Sequence, residues 1–172
     1  MGVTHVKCNI EDHRVLDSGV RCEDVTSFTP PTLEHPTTEV KNSGMVMDVD
    51  IPNIYHFNAM EVKIAHNNGK NCSMLARPGV HNLEFRGARQ DYVVAQGEIE
   101  LELVKFRITC VHRSTEKGEV ETDNPYGSTE TYSVLRYSEE IAGEETVLID
   151  SMAGIIRIDG VDYGDRLGSL LD

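Results

Sequence analysis

The sequence predicts a mainly β protein: an antiparallel β-sandwich or barrel with one or two short helices. Three observations carry this. Apolar and polar residues alternate with period two through most of the chain. Clusters of Asn, Asp and Gly punctuate the alternation where turns are needed. Only 70–77 and 161–171 read as helix.

The elements follow in chain order. Segment 28–44 contains Pro30, Pro31, Pro36, four threonines and Gly44, with few apolar residues. It is expected as an extended arm or long hairpin outside the core. Met45, Met47, Val49 and Ile51 alternate with Val46, Asp48 and Asp50, and predict a strand. Met60, Val62 and Ile64 alternate with Glu61, Lys63 and Ala65, and predict another, closed by Asn67-Asn68-Gly69. Residues 70–77 form a short helix ended by Pro78-Gly79. Leu83 and Phe85 alternate with Asn82, Glu84 and Arg86 in a third strand.

The strongest strand is 98–113. Its first half sets Ile99, Leu101 and Leu103 against Glu98, Glu100 and Glu102. From Val104 the parity reverses, and Val104, Phe106, Ile108 and Cys110 oppose Lys105, Arg107 and Thr109. A strand exchanges its apolar face only through a bulge or by leaving one packing environment for another. One of these is expected at Leu103–Val104, and the length suggests a strand reaching beyond its own domain. A polar loop is expected at 114–128, then strands at 129–139, 145–150 and 155–159. Asp159-Gly160 is a turn. In 161–171, Leu167, Leu170 and Leu171 share one side of a short helix, which Gly164 and Gly168 weaken.

The 172 residues suit one domain. With 16 bases and 29 acids the net charge is −13. Residues 98–150 hold 13 acids and 5 bases, net −8, so one strand-rich segment carries most of it. Such a chain is a poor binder of nucleic acid, because its mean field repels phosphates. No apolar run approaches the ~18 residues of a membrane span, and residues 1–10 are too polar for a signal peptide. Cys8, Cys22, Cys72 and Cys110 lack metal or disulfide-scaffold spacing and read as reduced thiols of a cytosolic product.

No motif points to catalysis, a cofactor or a metal. His5, His13, His35, His56, His66, His81 and His112 show no ligand spacing, and each is read as structural or exposed. Glu98, Glu100 and Glu102 could share a proton or bind calcium, but a carboxylate stripe on one strand is more simply a solvated or lumen-facing surface. Arg86 and Arg89 flank Gly87 and are expected in ion pairs with neighbouring strands rather than at an anion site. With no Trp and 6% aromatics, a carbohydrate hydrolase has no support.

Leu83-Glu84-Phe85-Arg86-Gly87-Ala88, the long strand 98–113, and the ending Thr146-Val147-Leu148-Ile149-Asp150, Ile155-Ile156-Arg157-Ile158-Asp159-Gly160-Val161-Asp162 and Leu167-Gly168 follow in a particular order. Together they resemble the major tail tube proteins of contractile-tailed phages of the P2 type. The resemblance covers 80–172 well, 45–67 moderately and 1–44 in layout. The glycines at 164 and 168 depart from it, since family members often carry better helix formers there.

The resemblance implies one tail tube domain over 1–172, a structural and non-enzymatic role, and hexameric rings stacked into a hollow tube with a shared inner β-barrel. The implied partners are further copies of the chain, a sheath protein, a baseplate or tube initiator, and tape-measure and tail terminator proteins. DNA would pass through the lumen without specific binding during ejection. The implied location is the virion tail, assembled in the bacterial host cytoplasm. Glu98, Glu100 and Glu102 are the candidate lumen-facing acids, with an outward, sheath-facing position as the competing one. Pro30, Pro31, Leu33, Glu34, Pro36 and Lys41 mark the candidate inter-subunit or inter-ring arm, with 114–128 second. Three alternatives stand beside this. The tube could belong to a phage-tail-like bacteriocin or contractile injection system that carries no DNA. The chain could be a baseplate-proximal initiator of the same fold. It could also be a monomeric β-barrel binding module.

Overall fold

The computed structural model describes residues 2–172. Strands β1 (His5–Asp17), β2 (Val20–Cys22), β3 (Val25–Thr29), β4 (Thr37–Val40), β5 (Val49–Pro52) and β6 (Glu61–His66) precede a 3-10 helix at Lys70–Ala76. Strands β7 (Val80–Val93), β8 (Glu98–Lys117), β9 (Ser128–Ile141), β10 (Glu144–Asp150), β11 (Ile155–Ile158) and β12 (Val161–Asp162) follow, then helix α1 (Tyr163–Gly168). The main sheet runs β12-β11-β10-β9-β8-β7-β1-β2, and β3 joins it through β6, which pairs with β9. All these pairings are antiparallel. The mainly antiparallel β class expected from the alternation is therefore what the chain adopts.

Strand β9 divides the sheet. Its first half (Ser128–Ser133) pairs with β6, and its second (Arg136–Ile141) with β10. The β3–β6 pair thereby covers one face of the β1–β7–β8 surface. Between the layers lies one apolar cluster that includes Val15, Val62, Ile64, Leu83, Ile108, Tyr132 and Ile149. Phe28 of β3 stacks on Phe85 of β7 at 4.9 Å between ring centroids, and Phe85 stacks on Phe106 of β8 at 5.3 Å. Such pairs add about 0.5–1.5 kcal/mol each beyond the area they bury. The 3-10 helix supplies the buried Cys72 and Leu75.

Two polar networks are built into this core. Glu130 is fully buried and accepts hydrogen bonds from His112 Nε2 (2.8 Å), His66 Nε2 (3.3 Å) and the Thr115 hydroxyl. The Asn68 N–H donates to His66 Nδ1 (3.1 Å), so the other ring nitrogen is left to donate to Glu130. Burial pushes the Glu130 carboxyl up, but these hydrogen bonds outweigh it and hold it below its ordinary range. Its charge therefore stabilises the fold above the ordinary glutamate pKa of about 4.3, and that contribution is lost as pH falls through the lower folded value. Unfolding followed by circular dichroism is expected to stay flat from neutrality to about pH 5 and to weaken below about pH 4. In the second network, His81 Nδ1 meets Asp17 at 2.6 Å and His81 Nε2 meets the Arg77 carbonyl at 2.6 Å. His66 and His81 are thus structural, the first of the two readings, structural or exposed, that the sequence allows each histidine. Their carboxylate partners lie 64 residues away in sequence.

All four cysteines are free, and three of them are buried. Burial pushes the Cys22 and Cys110 thiols up to about 12 and raises Cys72 as well. Titration of the native protein with an aromatic disulfide reagent is expected to label Cys8 alone, with the other three reacting only on unfolding.

Several boundaries differ from the sequence expectation. Met45–Asp48 is the turn of a β4–β5 hairpin and not strand, because Val40↔Val49 is the last pair. Strand β8 continues through Lys117, so the polar loop is shorter than 114–128. Helix α1 spans six residues rather than 161–171, started by Asp162, whose side chain accepts from the Gly164 and Asp165 amides. Strands β1, β2 and β3 occupy a region that the alternation left unread. The glycine at 164 has a packing reason: a Cβ there would collide with the Gly154 carbonyl of the β10–β11 turn, while nothing lies near Gly168. Gly164→Ala is expected to loosen α1 from that turn. Gly168→Ala is expected to be neutral or to stabilise by up to about 1 kcal/mol, read by thermal unfolding.

Candidate assembly site

The β7–β8 pairing is unbroken from Val80↔Val111 to Val93↔Glu98. This decides between the two explanations for the parity change at Leu103–Val104. The strand does not bulge there; it leaves the core. Strand β9 reaches β8 only as far as Val104↔Ile141, and the Ala142 amide closes on the Leu103 carbonyl (2.9 Å). Beyond that point β8 pairs with β7 alone, and β7 pairs with the first half of β1. Residues 5–13, 87–93 and 98–103 therefore form a three-stranded ribbon extending from the two-layered body. The irregularities of β8 lie elsewhere, against β9 at Thr109/Cys110 and His112/Ser114.

The ribbon has two unlike faces. Because β8 does not bulge, Glu98, Glu100 and Glu102 share the face that Val104, Phe106, Ile108 and Cys110 present to the core. On this side Lys7 Nζ donates to Glu102 (2.8 Å) and Asp91 (2.9 Å), Arg89 Nε donates to Glu102 (2.6 Å), and His5 Nδ1 meets Asp91 (2.9 Å). The hydrogen bond from Lys7 holds the Asp91 carboxyl below its ordinary range, and the bond to Glu102 raises Lys7. Burial pushes Glu102 up, and Lys7 and Arg89 more than reverse it. Of the three candidate lumen acids, Glu102 is thus neutralised, while Glu98 and Glu100 are exposed and make no ion pair among the described residues.

The opposite ribbon face is apolar and open. Ile99 is 62% exposed and Leu101 69%, whereas Val104, one residue beyond Leu103, is 6% exposed. Tyr92 is directly across from Ile99, and Val6 across from Tyr92. Both are exposed. The outer backbone edge of 98–103 has no strand partner among the described residues. Unlike the bulged β1 edge, it is regular. A regular open edge beside an apolar face is a template for another chain.

The main sheet has its own open face, away from the β3–β6 layer. It carries a ladder of ion pairs around a hollow of about 400 Å³. Arg86 pairs with Glu84, and Arg107 reaches Glu84 (3.6 Å) and Glu140 (3.8 Å). Lys105 meets Glu140 (3.8 Å), and Arg136 meets Asp150 (3.8 Å). Arg86 and Arg89 both stand in ion pairs, as expected, but on opposite faces of β7.

The candidate arm is a hairpin. Pro31 is buried, Pro30, Leu33 and Glu34 are exposed, and Pro36 is half-buried. The base is tied by the Asn53 amide to the Pro36 carbonyl (2.8 Å), the Asn58 amide to the Glu34 carbonyl (2.7 Å), and the His35 ring against Phe57 at 4.4 Å. Lys41 sits near the tip, paired with Glu39 (2.9 Å) and Asp48 (3.5 Å). The β4–β5 strands form a separate two-stranded sheet outside the main one.

The sequence matches the family model described as phage tail tube protein FII over residues 13–169. Two solved structures share the fold. One is a sheath/tube terminator of an extracellular contractile injection system (PVC, extended state), with 9% identity, a TM-score of 0.55, and coverage of 77% of this chain and 95% of that one. The other is from the sheath-tube complex of the same system, with 8% identity, a TM-score of 0.56, and coverage of 77% and 90%. At these identities the likeness shows the fold alone. No curated protein sequence matches significantly.

Proposed function

Because this chain belongs to the phage tail tube protein FII family, we propose that it is the structural subunit of a contractile-tail tube, polymerising as stacked hexameric rings around a hollow lumen. Its role is structural and not enzymatic, as the family's is. The observation that carries the assembly reading is the ribbon face of Ile99, Leu101 and Leu103. It is apolar, exposed, and bordered by an unpaired strand edge. A monomeric binding module would gain nothing from that surface, whereas a ring of copies covers it and closes the edge.

The open ladder face of the main sheet lines the lumen. The β3–β6 layer covers the other face, so the body of a shared sheet turns its open face inward, while the continuation of that face along the ribbon, Ile99, Leu101 and Leu103, lies beyond the body and is covered by the next copy. Arg86, Lys105, Arg107 and Arg136 are each held by a carboxylate there. A passing polyanion therefore finds few free cations and releases few counterions, and it slides without binding. The Glu98–Glu100–Glu102 stripe takes the competing, outward position, since it shares the core-side face of β8. Replacing Glu98 and Glu100 together by Gln is expected to leave DNA passage unchanged and to alter sheath binding. Slowed ejection would restore these acids to the lumen.

The partners are further copies, a sheath, an initiator at the baseplate, and tape-measure and terminator proteins, with DNA as passing cargo in a virion tail assembled in the host cytoplasm. The two structural neighbours come from an injection system. A tube that conducts no DNA stands as the second reading. Negative-stain electron microscopy of the purified protein over a concentration series tests the assembly reading. Hollow tubes or six-fold rings support it, and a strict monomer at high concentration, even with an initiator complex added, contradicts it.

A further inference from the structure

The tip of the β4–β5 hairpin presents Met45, Val46 and Met47 to solvent, and Val46 is fully exposed. Three consecutive apolar residues at the end of a stand-alone hairpin touch little of their own chain. Elsewhere on the same molecule lies an apolar groove of about 350 Å³ between the hairpin base, the β10–β11 hairpin and α1. Met60 and Ile149 are buried lining residues, and Tyr55, Phe57, Ile156 and Leu167 complete it. Leu167 remains 41% exposed. The tip does not fill this groove in its own chain, because a fully exposed Val46 contacts nothing there.

We propose that the groove receives the Met45–Val46–Met47 tip of a second copy. The inference rests on the tube reading and adds which surfaces meet. A knob and a hole at different places on one chain form a heterologous contact, which propagates head to tail into a closed ring or a filament. Both unsatisfied surfaces are apolar, and methionine adapts its shape to an irregular groove without strain. The hairpin base supplies Tyr55 and Phe57 to the groove wall and is fastened by the Pro36–Asn53 and Glu34–Asn58 hydrogen bonds. A copy whose groove is filled therefore has its own hairpin base held in place, and its tip is presented to the next copy.

The test uses full-length protein with Cys8→Ser, which removes the one exposed thiol. Val46→Cys and Leu167→Cys are made in separate preparations, mixed, assembled and oxidised. A covalent dimer that requires both preparations is expected, with none from either alone. In parallel, Val46→Asp is expected to raise the critical concentration for assembly about ten- to hundredfold while leaving the melting temperature unchanged. Tubes that form without the mixed cross-link, or Val46→Asp protein that polymerises like the parent, would overturn the docking and leave the tube reading intact. Tubes of Val46→Asp that form normally but fail to bind sheath would overturn it too, by giving the tip to a different partner. If the parent forms neither rings nor tubes, the tube reading fails first and the docking with it.

Discussion

Leu101→Asp is expected to leave the subunit folded and to abolish assembly. Leu101 is 69% exposed on a ribbon outside the core, so its removal costs the isolated fold less than about 0.5 kcal/mol. In the proposed tube the next copy covers the same side chain. Burying a leucine contributes about 1.5–3 kcal/mol, and burying an unpaired carboxylate in its place adds a desolvation penalty. The loss recurs at each interface of the polymer. Sedimentation velocity should show a sharp monomer at concentrations where the parent forms rings, with an unchanged melting temperature. A variant that assembles normally would show that this face is not an interface.

Glu130→Ala is expected to have the largest effect on the fold itself. It strips the acceptor from His66, His112 and Thr115 at a site with no solvent access. Removing one partner of a buried charged network typically costs about 3–5 kcal/mol. For a chain of this size that is a drop of roughly 10 °C or more in melting temperature. Glu130→Gln, which keeps the shape and part of the hydrogen bonding, should lose less. A fall under about 2 °C for Glu130→Ala would mean that the network does not hold β6, β8 and β9 together.

The strands with a simple division of faces were legible because burial writes itself as period two. The stretch from Met60 to Ile64 and the half of β8 from Val104 onward are of this kind. The parity change at Leu103–Val104 was legible too, and its cause was one of the two that the alternation allowed. The pattern could not say which, because a bulge and an exit from the core produce the same string of residues. Strand β1 was illegible for a related reason. Nine of its thirteen residues are exposed and two bulges interrupt its pairing, so neither burial nor register imposes a period. The Met45–Ile51 alternation held for Val49 to Ile51, which lie in β5, and misled over Met45–Asp48, where apolar residues serve a turn at the surface instead of a strand. The networks of Glu130 and of Asp17 with His81 join residues far apart in sequence, which no local spacing records. The proposed assembly surface was half visible: the glutamate stripe drew attention, but the proposal rests on the exposed apolar stripe on its other side.

The ribbon as a surface built for a second copy is tested most directly by amide hydrogen exchange over residues 98–103, measured on the protein below and above its assembly concentration. The outward-pointing amides of this edge should exchange freely in the dilute subunit and become strongly protected in the assembled tube, while those paired with β7 change little. Assembled tubes in which 98–103 exchanges as fast as in the free subunit would contradict it.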